Sequence, residues 1–180
     1  MYDLVIIGGG PAGVAAGVYA ARKRLKTLFI TRDWGGQSVV SDGIENWIGT
    51  VKISGVELAQ TLKEHLEAYK ADVVHITEGG SVTKVAQTGK GFMVTTDDGN
   101  TYETKTVLIT SGSHRRKLEI PGAAKFENKG ITYCASCDGP LFAGKDVVVV
   151  GGGNAGFETA AQLLAYAKSV TLLQRGKEYR

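Results

Sequence analysis

The chain has 180 residues, of which 43% are hydrophobic and 22% charged, and its formal net charge is +3. That length holds one domain or one and a half, and a charge so small and evenly spread argues against a nucleic-acid partner. No apolar run approaches the roughly 20 residues of a membrane span. The N-terminus enters a strand without the basic, apolar and cleavage segments of a secretory signal, so the cytoplasm is the expected compartment.

Leu4 to Ile7 reads as an apolar strand running into Gly8-Gly9-Gly10-Pro11-Ala12-Gly13. An alanine-rich helix from about Pro11 to Arg24 and a second strand, Thr27 to Ile30, complete a βαβ unit. The G-x-G-x-x-G of Gly8, Gly10 and Gly13 suits a dinucleotide pyrophosphate: a tight turn, a close backbone approach, and close packing of helix on strand. The free N–H groups of the helix start would face the phosphates. Asp33, beyond the second strand, stands where a ribose-binding acidic residue is expected, and reads equally well as a turn residue.

Ser54 to Tyr69 reads as an amphipathic helix opened by a Ser54–Glu57 capping box, with Val56, Leu58, Leu62, Leu66 and Tyr69 on one stripe. His65 lies beside that stripe as a surface or core-edge residue. Val73 to Ile76 reads as a strand, Phe92 to Thr96 and Thr101 to Thr104 as a hairpin about Asp97–Asn100, and Val107 to Thr110 as another buried strand. Pro121 and Gly122 interrupt Lys117–Gly122, KLEIPG, which is therefore a connector. It divides the chain into domains at 1–117 and 118–180. Beyond it come Cys134-Ala-Ser-Cys137, a strand from Asp146 to Val150, a second turn at Gly151–Gly156, a helix to about Lys168 and a strand from Ser169 to Leu173. One βαβ unit cannot bury both faces of its sheet, so this second domain is expected to be the start of a larger one.

Two dinucleotide turns suggest two cofactors, and a dithiol between them suggests a relay. Hydride transfer and disulfide reduction are both two-electron steps, and a flavin can accept from one and donate to the other. A zinc site would need four ligands, and there is no second cysteine pair, so no metal is expected. A purely structural disulfide is the alternative to a redox dithiol. In Cys-x-x-C motifs at least one thiol commonly has a depressed pKa, and Asp138, next to Cys137, could shuttle the proton that thiolate chemistry requires.

The motifs GGGPAG at 8–13, GGQ at 35–37, IENWIG at 44–49, TSG at 110–112, KGITYCASCDGPLFAGK at 129–145, VVVVGGGNAGFE at 147–158 and VTLLQR at 170–175 occur in this order. On these the chain resembles the low-molecular-weight thioredoxin reductase family, and is especially similar to the related flavoprotein subunit of alkyl hydroperoxide reductase. The resemblance implies an α/β fold: a Rossmann-like, three-layer FAD-binding domain with a β-hairpin or meander, then the first βαβ unit of a Rossmann-like NAD(P)-binding domain. FAD would lie on Gly8, Gly10, Pro11, Ala12 and Gly13, along Thr31, Gly35, Gly36 and Gln37, near Asn46, and against Gly112. NADPH or NADH would lie on Gly151, Gly153, Asn154 and Ala155. Cys137 would face the flavin, Cys134 would attack the disulfide of a thioredoxin-like protein, and Asp138 would act as acid–base. The two domains would rotate against each other, with KLEIPG as a hinge, in a homodimer.

Three departures from the family pattern bear on these expectations. TSG at 110–112 replaces the usual ATG. Gln174-Arg175-Gly176 replaces the His-Arg-Arg run of NADPH-using members, leaving Arg175 and Arg180 as cations for a 2′-phosphate. Family members also continue past this point through a segment carrying a Gly-Asp motif that contacts the flavin. The readings are therefore an FAD-dependent disulfide reductase serving a thioredoxin-like protein, a flavoprotein reductase of a peroxiredoxin system, or a truncated, non-catalytic dinucleotide-binding module.

Overall fold

The computed structural model describes residues 1–113, 116–127 and 129–176. The chain forms two compact units, residues 1–114 and 115–180.

The first unit contains β1 (Tyr2–Gly9), α1 (Pro11–Arg22), β2 (Thr27–Trp34), α2 (Gly55–Tyr69), β3 (Val74–Glu78), β4 (Val82–Thr88), β5 (Gly91–Thr96) and β6 (Thr101–Ile109), with a 3-10 turn at Gly36–Val40. These strands make a six-stranded sheet in the order β3-β2-β1-β6-β5-β4. β1 pairs in parallel with β2 and β6, and β2 with β3, while β4, β5 and β6 run antiparallel. Strands covered on both faces need apolar residues at successive positions rather than alternate ones. β1 and β2 satisfy this: Val5, Ile6, Leu28, Phe29 and Ile30 are all buried. Ile6 and Phe29 face the helices, packing with Val14, Val18, Leu58, Leu62 and Leu66. Val5, Leu28 and Ile30 face the other way and pack with Val94 of β5. The meander thus covers the second face and gives the α/β, Rossmann-like three-layer form.

α2 begins with the expected capping box. The Glu57 N–H donates to Ser54 Oγ at 3.2 Å, and the Ser54 N–H donates to Glu57 Oε2 at 3.0 Å. Its buried stripe is narrower than the sequence suggests: Val56 is 65% and Tyr69 42% exposed. Val56 lies two residues before Leu58, some 200° round the helix from it. Tyr69 sits at the stripe's edge, where the Arg22 guanidinium covers its ring at 5.6 Å. His65 is exposed and meets Tyr69 edge-on.

The segments expected as two strands at Thr101–Thr104 and Val107–Thr110 are one strand, β6. Lys105 and Thr106, which look like an interruption, are held in line from β1. Lys105 Nζ donates to Asp3 Oδ1, and Thr106 Oγ1 to the Asp3 carbonyl, both at 2.7 Å. The far end is not buried, since Ile109 is 63% exposed. β2 likewise runs on to Trp34, so Asp33 lies within a strand rather than beyond it. β4, with sequence VTKVAQT, has no counterpart among the expected elements; it is an edge strand with mostly exposed side chains.

The second unit contains α3 (Ala123–Phe126), α4 (Ala135–Asp138), β7 (Asp146–Val150), α5 (Asn154–Leu163) and β8 (Ser169–Leu173), with a 3-10 turn at Gly139–Phe142. β7 and β8 form a parallel two-stranded sheet. α5 stops at Leu163, short of the expected Lys168. The following turn is drawn aside by bonds to the segment ahead of β7: Gly144 N–H to the Tyr166 carbonyl and Lys168 N–H to the Lys145 carbonyl, both at 2.9 Å. Among the described residues, no helix is long and apolar enough to cross a membrane.

Candidate functional site

Each βαβ unit opens its helix on a glycine turn, and the two turns share one geometry. Gly8 and Gly151 have φ of +119° and +128°, a region that glycine alone enters readily. A Cβ at Gly13 would collide with the Gly8 carbonyl oxygen, and one at Gly156 with that of Gly151. The middle glycines differ: among the described residues, the nearest atom to a Cβ at Gly10 would be 3.9 Å away, and none lies within 4 Å at Gly153. Gly10 and Gly153 are the N-caps of α1 and α5, neither helix has a side-chain cap, and neither carries an acidic residue in its first turn. Unsatisfied N–H groups at an uncapped, glycine-lined helix start are what an anionic pyrophosphate needs.

In the first unit, two separate stretches converge on this turn. The Gly35 N–H donates to the Gly9 carbonyl at 2.9 Å. A Cβ at Gly36 would come within 3.4 Å of the Gly10 Cα, so the two backbones pass face to face. The Thr110 hydroxyl donates toward the carbonyls of Ile7, at 2.9 Å, and Gly8, at 3.1 Å, fixing the turn from β6. Gln37 Nε2 donates to the Ser113 carbonyl, tying the 3-10 turn to the end of that segment. Gly8, Gly10, Pro11, Ala12, Gly13, Gly35, Gly36 and Gln37 are thus gathered in one place.

The remaining expected contacts sit differently. Thr31 is buried, and its hydroxyl donates to the Asp33 carbonyl at 2.6 Å. Its side chain fills the space where a Gly9 Cβ would be. The Asp33 carboxylate is 71% exposed and pairs with Arg32 Nε at 2.9 Å. Asn46 lies on an exposed loop closed by the Ile44–Ile53 bridge and by a Lys52–Glu45 pair at 2.8 Å. Gly112 is exposed with φ +67°. Beside this region, the half-buried Trp34 stacks on Phe29 at 5.4 Å. Its Nε1 is buried and has no hydrogen-bond partner among the described residues. The Glu78 carboxyl is held below the usual glutamate range first by Lys63, and also by the Trp34 indole.

In the second unit, Gln174 packs where a Gly152 Cβ would stand, and Arg175 is exposed. Arg180 lies outside the described residues. Asn154 and Ala155 form the exposed first turn of α5.

The dithiol occupies the same unit. Cys134 and Cys137 form a disulfide, with Cα atoms 5.3 Å apart. Cys134 is the N-cap of α4 and half-buried; Cys137 is exposed. The N–H groups of Cys137 and Asp138 both donate to the Cys134 carbonyl, at 3.2 and 3.0 Å, which winds the pair into a single turn. Ser136 Oγ fastens that turn to α5 through Gln162 Oε1 at 3.0 Å, and a Cβ at Gly139 would stand 3.5 Å from the Tyr166 ring. Thr132, inside the KGITYCASCDGPLFAGK run but given no role there, donates its hydroxyl to Asp138 Oδ2 and accepts from the Cys134 N–H at 3.4 Å. The sequence marks its role only by a hydroxyl residue two positions before the first cysteine.

Two pyrophosphate-type turns with a disulfide beside the second define a dinucleotide-linked redox protein. The pattern of the family described as "Pyridine nucleotide-disulphide oxidoreductase" matches residues 2–180, and the chain belongs to that family. It is 41% identical over 179 residues to an alkyl hydroperoxide reductase component of Staphylococcus epidermidis, covering 99% of this chain and 35% of that protein. It is 38% identical over the same length to a protein named NADH dehydrogenase from Bacillus subtilis, of which it covers 34%. Among solved structures, the thioredoxin reductase of Streptococcus pyogenes superposes with a TM-score of 0.87 at 41% identity, covering 100% of this chain and 57% of that one. That of Giardia duodenalis gives 0.91 at 29% identity, covering 99% and 57%. The chain therefore spans about a third of the length of the curated relatives it matches.

Proposed function

We propose that this chain carries the first dinucleotide site and the dithiol of a cytoplasmic NAD(P)H-dependent disulfide reductase. Electrons pass from NADPH or NADH through FAD to the Cys134–Cys137 disulfide, and from the dithiol to the disulfide of a thioredoxin-like protein. The observation that carries this reading is the disulfide itself, wound into one turn and bonded through Ser136 to the helix that the second glycine turn opens. FAD would lie on the turn from Gly8 to Gly13, with Gly36 opposite Gly10, and the nicotinamide dinucleotide on Gly151, Gly153, Asn154 and Ala155. When bound, the flavin supplies the exchange between hydride and dithiol chemistry. Residues 1–117 serve as the FAD domain and 118–180 as the start of the NAD(P)H domain, in a homodimer. Asp138 takes up and returns the proton of the thiol. Arg175, as the cation next to Gln174, favours NADPH over NADH.

A second reading gives the electrons to a peroxiredoxin system through a thioredoxin-like carrier. It is favoured by the 41% identity to a protein named as part of an alkyl hydroperoxide reductase. The visible spectrum of the purified chain, before and after anaerobic NADPH or NADH, tests both. A flavin spectrum bleached by one nucleotide is the expected outcome. A chain that stays colourless and takes up no added FAD would sink both readings and leave a non-catalytic dinucleotide-binding module.

A further inference from the structure

The turn that bears the cysteines is held by a residue outside the Cys-x-x-C run. Thr132 is half-buried at the approach to α4. Its hydroxyl donates to Oδ2 of Asp138 and accepts from the Cys134 N–H at 3.4 Å. The Asp138 N–H donates in turn to the Cys134 carbonyl at 3.0 Å. Hydroxyl, carboxylate and peptide thus close a ring about the base of the disulfide. A threonine hydroxyl has one proton to donate, and here it goes to one carboxylate oxygen. That bond fixes the plane of the carboxyl group and leaves Oδ1 as the oxygen able to exchange a proton.

We infer that Thr132 is a positioning residue for the dithiol, its hydroxyl holding the Asp138 carboxylate in place as the proton acceptor for the cysteine thiol. The inference rests on the reading of Asp138 as the acid–base group. Neighbouring groups are engaged elsewhere. On α5, Gln162 Oε1 accepts from Ser136 Oγ at 3.0 Å. On the approach, the Tyr133 hydroxyl accepts from the Leu118 N–H at 3.1 Å, and the nearby Lys117 is paired with Glu127 at 2.8 Å.

The Cys134 thiolate attacks one sulfur of a substrate disulfide; that S–S bond breaks and the other substrate sulfur leaves as a thiolate. The Cys137 thiol gives its proton to Asp138 and attacks Cys134 Sγ. The Cys134–Cys137 bond forms, and the second substrate sulfur leaves. The two electrons of the dithiol end on the substrate sulfurs. Two protons complete the substrate thiols, one through Asp138 and one that Cys134 had released to solvent.

The test uses the reduced full chain without flavin or nucleotide, oxidised by glutathione disulfide at about pH 7. Thr132→Val should slow the exchange about tenfold, a part of the 10²–10⁴ typical of a whole acid–base group. Thr132→Ser should restore the rate. Asp138→Asn should slow the exchange at least as much, and Thr132→Val added to it should slow the reaction no further. A valine variant as fast as the wild type, a serine that fails to rescue, or additive effects in the double variant would each overturn the inference. Reduction of the wild-type disulfide by NADPH or NADH with FAD is measured separately. If that fails while the slowed exchange of the valine variant and its rescue by serine stand, the electron-relay reading falls and the role of Thr132 survives.

Discussion

Gly13 lies against the carbonyl oxygen of Gly8, leaving no room for even a methyl group at position 13. Gly10, three residues earlier, has open space in front of it. The two positions should therefore fail differently. Gly13→Ala forces helix and strand apart, and overpacking of this kind costs about 1–3 kcal/mol. Gly10→Ala should change stability by less than about 1 kcal/mol, yet place its methyl where a pyrophosphate would approach. Urea melts paired with FAD fluorescence titrations check this. Equal losses of stability for the two variants, or unchanged FAD affinity in Gly10→Ala, would refute this.

The capping box of α2 makes an acid-side prediction. The Glu57 carboxyl is held below the usual glutamate range, first by the Ser54 hydroxyl and then by the Ser54 backbone N–H. A carboxyl depressed in the folded state contributes stability above its unfolded pKa, and loses it as pH falls through the folded one. Stability should thus decline below the ordinary glutamate range, and Glu57→Gln should flatten that decline. Thermal melts from pH 3 to 7 measure it, and an unchanged slope in the variant refutes it.

The disulfide predicts a separation of two activities. Cys134→Ser and Cys137→Ser should each abolish reduction of a substrate disulfide while leaving FAD uptake unchanged, because the glycine turn of the first unit does not depend on either sulfur. Flavin content and turnover with a small disulfide, measured on the same samples, decide the matter. Turnover that survives in both variants would remove the dithiol from the pathway.

Arg175 predicts a cofactor preference. Its exposed guanidinium follows Gln174, whose side chain packs over Gly152. A charge-assisted hydrogen bond to a 2′-phosphate contributes roughly 1.5–3 kcal/mol, so Arg175→Ala should weaken NADPH by about tenfold or more and leave NADH unaffected. Competition titrations with the two nucleotides read this directly, and equal weakening of both would refute the preference.

What the sequence shows and what it hides follow from the range of the interactions. The two glycine turns and the Ser54–Glu57 box are legible because their physics lies within six residues of chain. The unity of β6 was hidden: Lys105 and Thr106 look like a break, and only Asp3, about a hundred positions earlier, shows why they are not. β4 was hidden because an edge strand with mostly polar faces lacks an apolar pattern. Thr31, which the resemblance implies as a cofactor contact, is buried against Gly9, and its hydroxyl bonds to the Asp33 carbonyl, a contact no local pattern announces. Thr132 carried no weight because its partner across the turn, Asp138, appears in the sequence only as the residue after a cysteine.

β6 has a further consequence. Thr104 pairs with Phe92 on one side and Tyr2 on the other, so the strand passes at that residue from an antiparallel to a parallel neighbour. From there it advances about 20 Å at 3.3 Å per residue to Thr110, whose hydroxyl reaches the Gly8 carbonyl at 3.1 Å. The strand works as a ruler, clamped at the hairpin and read at the phosphate turn. Residues added to the Asp97–Asn100 loop leave the reading unchanged. A single residue added between 104 and 110 would carry Thr110 past its mark and turn its hydroxyl to the wrong face.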